Sequence, residues 1–284
     1  MFTDFERVYV FFQHNYVPFL KNGHWASGAW PYAHALPWFD FVRHYKIGLW
    51  EENDRIVGLC TFETNPGQAF IFTANGYEYM KPDLLEYAEK NLYALDDSGN
   101  KTLRVCACTV EPEFTELLLS KGYAFDWGHD LTVYDYKRGL PKPELPEGFK
   151  IIAFDEENEY KKAADAVWQG FDNDGENNLD GYMLGHHMPY FRKDLLFIVK
   201  GENGDYCSYG SIWFDEVNKY AYLEPLSTVP KYRRKGLAKA LLYEAMNKTS
   251  ELGATYMVGG DSEFYKGIGF ETQYAMRFYK KILT

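Results

Sequence analysis

The stretch Glu224-Pro225-Leu226-Ser227-Thr228-Val229-Pro230-Lys231-Tyr232-Arg233-Arg234-Lys235-Gly236-Leu237-Ala238-Lys239 decides how the chain is read. It passes from a strand-like run, through a basic turn containing glycine, into Ala240-Leu241-Leu242-Tyr243-Glu244-Ala245-Met246, a composition that predicts a strong helix. The first N–H groups of such a helix have no partner inside it and point outward with the positive end of its dipole. An anion is expected there. Gly236 and Ala238 remove bulk where a phosphate would approach the main chain, and Arg233, Arg234 and Lys235 offer charge to a diphosphate or ribose phosphate.

Neither the Walker spacing nor the dinucleotide fingerprint is present in this stretch, which disfavours a nucleotide triphosphatase. The spacing Arg233-x-x-Gly236-x-Ala238 instead resembles the acyl-CoA motif of the GNAT acetyltransferase superfamily: Gln or Arg, two residues, Gly, one residue, then Gly or Ala. The flanks extend the resemblance. Leu195-Leu196-Phe197-Ile198-Val199-Lys200, a polar turn at Gly201-Glu202-Asn203-Gly204, and Tyr206 to Phe214 read as a hairpin, with a third strand from Lys219 to Leu226. Downstream, Thr255 to Val258 reads as a strand, Ser262 to Gly267 as a short helix and Phe270 to Lys280 as a closing strand. The order of strand, two helices, three strands, helix, strand, helix, strand is that of GNAT domains. Phe264-Tyr265-Lys266-Gly267-Ile268-Gly269-Phe270 is similar to the family's second signature. The resemblance covers roughly the last half of the chain.

A length of 284 residues suits one large domain or two ordinary ones. Arg138-Gly139-Leu140-Pro141-Lys142-Pro143-Glu144-Leu145-Pro146-Glu147-Gly148 has the composition of a linker near the midpoint. Domains are therefore expected at 1–139 and 148–284, joined by 140–147. A net charge of −11 argues against a nucleic acid partner. No apolar stretch is long enough to span a bilayer, and Met1 to Val10 lacks a secretory pattern, so a cytoplasmic protein without a membrane partner is expected. Cys60, Cys106, Cys108 and Cys207 are too scattered for a disulfide framework or a zinc cluster, and no metal is expected. Trp25, Trp30, Tyr32 and Trp38 lie in a stretch of little periodicity and are assigned to packing ahead of ligand stacking.

The first half echoes the second. Ile47 to Phe62 is again strand, polar turn, strand. Leu84-Leu85-Glu86-Tyr87-Ala88 matches Leu241-Leu242-Tyr243-Glu244-Ala245 at an offset of 241 − 84 = 157, and Phe114 matches Phe264 at 264 − 114 = 150. Offsets this close suggest duplication. The cradle is not repeated. Before the first-half helix stand Thr73-Ala74-Asn75-Gly76-Tyr77-Glu78-Tyr79-Met80-Lys81-Pro82-Asp83, with acidic residues where a diphosphate needs positive charge. The expected fold is thus an α/β (α+β) pair of tandem GNAT-like domains, each a mixed, mostly antiparallel sheet flanked by helices, the first without a CoA site.

The resemblance also implies roles. Acetyl-CoA would be the co-substrate, its pantetheine lying against a splayed strand at Leu226, Ser227 and Thr228, where a backbone N–H would face the thioester oxygen. Its pyrophosphate would lie on Arg233, Arg234, Lys235, Gly236, Leu237, Ala238 and Lys239. Glu224 takes the position of a carboxylate that removes the amine proton, facing the same way as Leu226 and Thr228 on an alternating strand. Tyr265 takes the position of the acid that protonates departing CoA thiolate; a phenol pKa near ~10 keeps its proton at neutral pH.

The loop overhanging the acceptor site reads Gly170-Phe171-Asp172-Asn173-Asp174-Gly175-Glu176-Asn177-Asn178, and Asp172, Asp174 and Glu176 would suit a cationic amine. Its likeness to a calcium loop fails for want of the later glutamate. His186-His187 reads as an exposed loop pair with no companion carboxylate. The expected activity is transfer of an acetyl group to a primary amine of a small molecule, in a ternary complex. Two alternatives stay open: an acyl-CoA-binding module without turnover, and a transferase of longer acyl or aminoacyl groups. Exposed strand ends and aromatics would allow a homodimer.

Overall fold

The computed structural model describes residues 2–154 and 159–283. The backbone forms two compact units, one of Met1–His34, Trp38–Thr132 and Thr272–Thr284, the other of Ala35–Pro37 and Val133–Glu271. Elements are numbered in chain order.

In the first unit α1 (Phe5–His14) and α2 (Ala29–Ala35) precede β1 (Gly48–Glu52), β2 (Arg55–Thr61) and β3 (Gln68–Thr73). After these come α3 (Lys81–Asn91), β4 (Ala94–Leu95), β5 (Lys101–Cys108), α4 (Pro112–Ser120) and the greater part of β6 (Ala124–Asp135). The polar turn expected between β1 and β2 is Asn53-Asp54, with φ of 50° and 60°; Glu52 pairs with Arg55 across it. The core is apolar side chains of β5 and α3, led by Leu84, Leu85, Leu103 and Val105, all 1% exposed or less. Trp25 and Trp30 are buried, as assigned from sequence, whereas Trp38 is exposed.

In the second unit β7 (Phe149–Ala153), α5 (Tyr160–Gly170), α6 (Leu179–His186), β8 (Leu196–Gly201), β9 (Tyr206–Asp215), β10 (Tyr220–Thr228), α7 (Leu237–Glu251), β11 (Tyr256–Gly259) and α8 (Glu263–Gly267) follow the expected order. The sheet runs β11-β10-β9-β8-β7, parallel between β10 and β11 and antiparallel elsewhere. One face is covered by α7, whose Leu241, Leu242, Ala245 and Met246 pack with Ile212, Phe214, Leu223 and Met257. The other is covered by α5, whose Ala163 and Ala166 pack with Leu196, Ile198, Tyr209 and Val229. β9 is buried along its whole length between these layers, so its sequence shows an apolar run in place of alternation.

The domain limits differ from those expected. The chain leaves the first unit within the continuous strand β6, at Thr132/Val133, and not in the proline-rich 140–147. That segment is packed: Leu140 and Leu145 lie against the second-unit core, Asn247 Nδ2 donates to the Pro141 carbonyl at 2.9 Å, and Tyr134 donates to the Gly139 carbonyl at 2.8 Å. The closing strand β12 (Glu271–Leu283) forms as expected but pairs antiparallel with β5, from Met276 opposite Cys108 to Leu283 opposite Lys101. Phe278, 1% exposed, anchors it in the first unit, with Trp127 stacked on it at 4.2 Å.

The repeat is sharper in strand register than in sequence. β3 pairs parallel with β5 at Gln68–Arg104 and Ala69–Val105, and β10 with β11 at Ala221–Met257 and Tyr222–Val258. Both strands give the same offset of 153, 221 − 68 and 257 − 104. All four cysteines are free and buried. Among the described residues no helix is long and apolar enough to cross a membrane.

Candidate functional site

The candidate site starts where β10 and β11 part. Their pairing ends at Tyr222–Val258, although β10 continues to Thr228 along β9. A bulge lies at the parting: Leu223 opposes Ile212 and Leu226 opposes Gly210, so Glu224 and Pro225 stand where β9 has one residue. The Glu224 carbonyl is fixed by Ser211 Oγ at 2.7 Å and Trp213 Nε1 at 3.0 Å. The bulge breaks the alternation assumed for Glu224, Leu226 and Thr228, because Leu223 and Leu226, three residues apart, both reach the core under α7.

Beyond the bulge, Val229 N–H donates to the Cys207 carbonyl at 3.0 Å. By alternation Ser227 also turns its main chain toward β9, while Leu226 and Thr228 turn theirs toward the space β11 has vacated. The Thr228 carbonyl accepts from Arg233 Nε at 3.0 Å, and Gly170 lies against the Thr228 nitrogen. The Leu226 N–H is therefore a donor aimed into the gap. Ser227 Oγ is buried with no hydrogen-bond partner among the described residues and faces Gly170, where a built Cβ would lie 2.7 Å from it.

After the strand, a turn at Pro230–Tyr232 is held by Asp205, which accepts from Lys231 at 2.7 Å and Tyr232 at 2.5 Å. Those bonds, the lysine first, hold the Asp205 carboxyl down at about 2. Gly236 caps α7 at φ 80°, a conformation that favours glycine, and a Cβ built there would meet no atom within 4 Å. The cradle is thus bare main chain facing open space. Leu237 is buried and contributes only its amide; Ala238 is half-buried; Arg234, Lys235 and Lys239 are exposed. Arg233 is exposed but engaged: besides Thr228, its Nη2 donates to the Gly170 carbonyl and to Asp172 Oδ2, both at 2.9 Å.

Tyr265, on α8, packs its ring on Gly259 and Gly260, where built Cβ atoms would come within 3.1 and 2.6 Å of it. It meets Phe264 and Phe270 edge-on at 5.2 and 5.3 Å. Burial, and then the nearby Glu224 carboxylate, raise the phenol pKa well above its ordinary value, so its proton is retained at neutral pH. The two proposed catalytic side chains are therefore neighbours. The pair Gly259-Gly260, which makes room for Tyr265, was a legible signal that sequence reasoning passed over.

The acceptor loop is arranged differently from the expectation. Asp172 is paired with Arg233, and Asp174 and Glu176 are exposed, the Asp174 carbonyl accepting from Trp168 Nε1 at 3.1 Å. His186 is not in an exposed loop: it ends α6, 4% exposed, with Nε2 3.3 Å from the Tyr209 hydroxyl and Tyr182, Phe191, Phe154 and Tyr160 around its ring at 4.5–5.2 Å. Its neighbour His187 is exposed.

The first unit keeps the parted strands but fills the space between them. His24 hydrogen-bonds the main chain of Thr73, the residue 153 before Leu226 (226 − 73). Gly23 lies against Glu111 and Cys108. Lys81, which opens the helix corresponding to α7, is buried, ion-paired with Glu111 and set over the Phe114 ring at 4.5 Å. The chain's own His24 and this ion pair thus lie at the end of β3 and β5 that corresponds to the gap between β10 and β11.

The model of the acetyltransferase (GNAT) family matches residues 164–283. Among solved structures the chain is similar to a GCN5-related N-acetyltransferase from Sphaerobacter thermophilus (TM-score 0.63, 12% identity, 81% of this chain and 78% of that one). It is also similar to a tandem GNAT protein from the clavulanic acid biosynthesis pathway (0.57, 12%, 89% and 94%) and to a GNAT-family acetyltransferase from Colwellia psychrerythraea (0.54, 14%, 88% and 92%). At such identities the likeness is one of fold, and the fold is that of tandem GNAT proteins. Among curated proteins no sequence matches.

Proposed function

We propose that the second unit transfers an acetyl group from acetyl-CoA to a primary amine, by direct attack with both substrates bound. The observation that carries this reading is the parting of β10 from β11 directly ahead of the bare Gly236 cradle, which puts the Leu226 amide and an anion site on one path. Acetyl-CoA would supply the acetyl group already activated as a thioester. The amides at Gly236 and Leu237, with Arg233, Arg234, Lys235 and Lys239, would hold its diphosphate. Leu226 N–H would hydrogen-bond the acyl oxygen. Glu224 would take the proton of the attacking amine, directly or through water, and Tyr265 keeps a proton beside it for the leaving thiolate.

Asp174 and Glu176, exposed on the loop after α5, are the carboxylates left to attract a cationic small-molecule amine. The cytoplasm, where acyl-CoA is available and buried thiols stay reduced, fits the four free cysteines. The test is release of free thiol from acetyl-CoA across a panel of small amines, in wild type and Tyr265→Phe. Amine-dependent release that falls in the variant is expected. Binding of acetyl-CoA with no release on any amine would favour a non-catalytic module, and release only from longer acyl donors would change the donor.

A further inference from the structure

Arg233 is tied into the fold through its guanidinium on three sides. A guanidinium has five N–H groups. Nε–H is spent on the Thr228 carbonyl, and the two on Nη2 on the Gly170 carbonyl and the Asp172 carboxylate. The acceptors come from two elements, the end of β10 and the end of α5 with the loop after it. Their approach depends on Gly170, since a Cβ there would fall 2.6 Å from Ser227 Cβ and 2.7 Å from Ser227 Oγ. Asp172 itself is in the left-handed region, φ 57°, which turns its carboxylate back toward Arg233. The two N–H groups of Nη1 have no acceptor among the described residues.

We propose that Asp172 and Gly170 are positioning residues for Arg233, which bridges the coenzyme cradle and the acceptor loop so that filling the first orders the second. The proposal rests on the acyl-CoA reading above. A diphosphate can engage Nη1 without displacing any of the three existing bonds, so Arg233 meets it already oriented. An arginine released from Asp172 must be immobilised on binding. An exposed ion pair contributes little to stability, so Asp172 acts on orientation and leaves the melting temperature nearly unchanged. Because coupling is reciprocal, a coenzyme anchored on Arg233 should in turn restrain residues 170–178.

The test is calorimetric titration of acetyl-CoA into wild type, Asp172→Ala, Asp172→Asn and Gly170→Ala, with hydrogen exchange of residues 170–178 with and without acetyl-CoA. Asp172→Ala should weaken binding by on the order of tenfold at an unchanged melting temperature, the scale of one long side chain left to be ordered. Asp172→Asn, which keeps a hydrogen-bond acceptor, should recover most of the loss. Acetyl-CoA should slow exchange of the loop in wild type and not in Asp172→Ala. Unchanged or tighter binding by Asp172→Ala, or a loop whose exchange ignores acetyl-CoA in wild type, would overturn the proposal while leaving the coenzyme site standing. No binding by wild type would overturn both.

Discussion

Acid should loosen the first unit well before ordinary carboxylates titrate. Burial holds the imidazoles of His24 and His34 neutral, driving each from 6.5 down to about 3; the Lys81 ammonium adds to this at His24, and His44 to a lesser degree at His34. In the unfolded chain both take up a proton below about 6.5, so the unfolded state binds more protons and stability rises with pH. Their contribution is complete above 6.5 and is lost as the pH falls from there toward 3. Between those limits each histidine costs about 1.4 kcal/mol per pH unit, or about 2 kcal/mol at pH 5 and about 4 for the two. His44 shifts in the same direction, whereas Glu63, whose carboxyl is raised by partial desolvation, works in the opposite one.

The assay is urea unfolding at pH 7, 6 and 5, followed by tryptophan fluorescence, since Trp30 lies 4.2 Å from His34 and Trp25 packs on the same Phe72 as His24. His24→Phe keeps the ring packing and removes the titration. Its stability should fall less steeply with acid than that of wild type, by about 1.4 kcal/mol per unit. Parallel pH profiles for the two proteins would refute the argument, whatever the offset between them.

Tyr265→Phe should lower turnover by on the order of a hundredfold, with acetyl-CoA affinity unchanged in a direct binding measurement; equal turnover removes its role as acid. Glu224→Gln should lose activity most at low pH, where the acceptor arrives protonated, and a pH-independent ratio to wild type would mean that the amine reaches the site neutral. Lys81→Met should cost the first unit about 3 kcal/mol by leaving Glu111 partly buried without its partner, and Lys81→Met with Glu111→Leu should recover most of this in the same urea titration.

Local chemistry was readable in the sequence wherever it determines the backbone. The turn at Asn53-Asp54, the basic segment before α7 and the order of elements from β7 to β12 follow from residue types and spacing. Long-range pairing did not. Nothing in Phe270 to Lys280 says that the strand will lie against β5, because an apolar strand can be buried by either sheet. Proline and glycine at 138–148 read as a linker, yet Pro141 and Gly139 offer carbonyls that Asn247 and Tyr134 take up. The alternation used for Glu224 failed at a bulge, a one-residue event that period-two reasoning cannot locate. Asp172 looked like a substrate carboxylate because its partner, Arg233, is distant in sequence and looked committed to phosphate. His186 was hidden because α6 is too short to show a clear apolar face, although five aromatic side chains enclose the ring.

Titration calorimetry with acetyl-CoA on wild type and Gly236→Glu asks whether one unit of this tandem fold holds acyl-CoA while the other does not. A side chain at 236 meets no atom within 4 Å, so the variant pays mainly the left-handed backbone cost of about 1 kcal/mol while placing bulk and negative charge in the cradle. One acetyl-CoA per chain is expected in wild type and none in the folded variant. Two sites per chain, none in wild type, or one site that survives Gly236→Glu would contradict it.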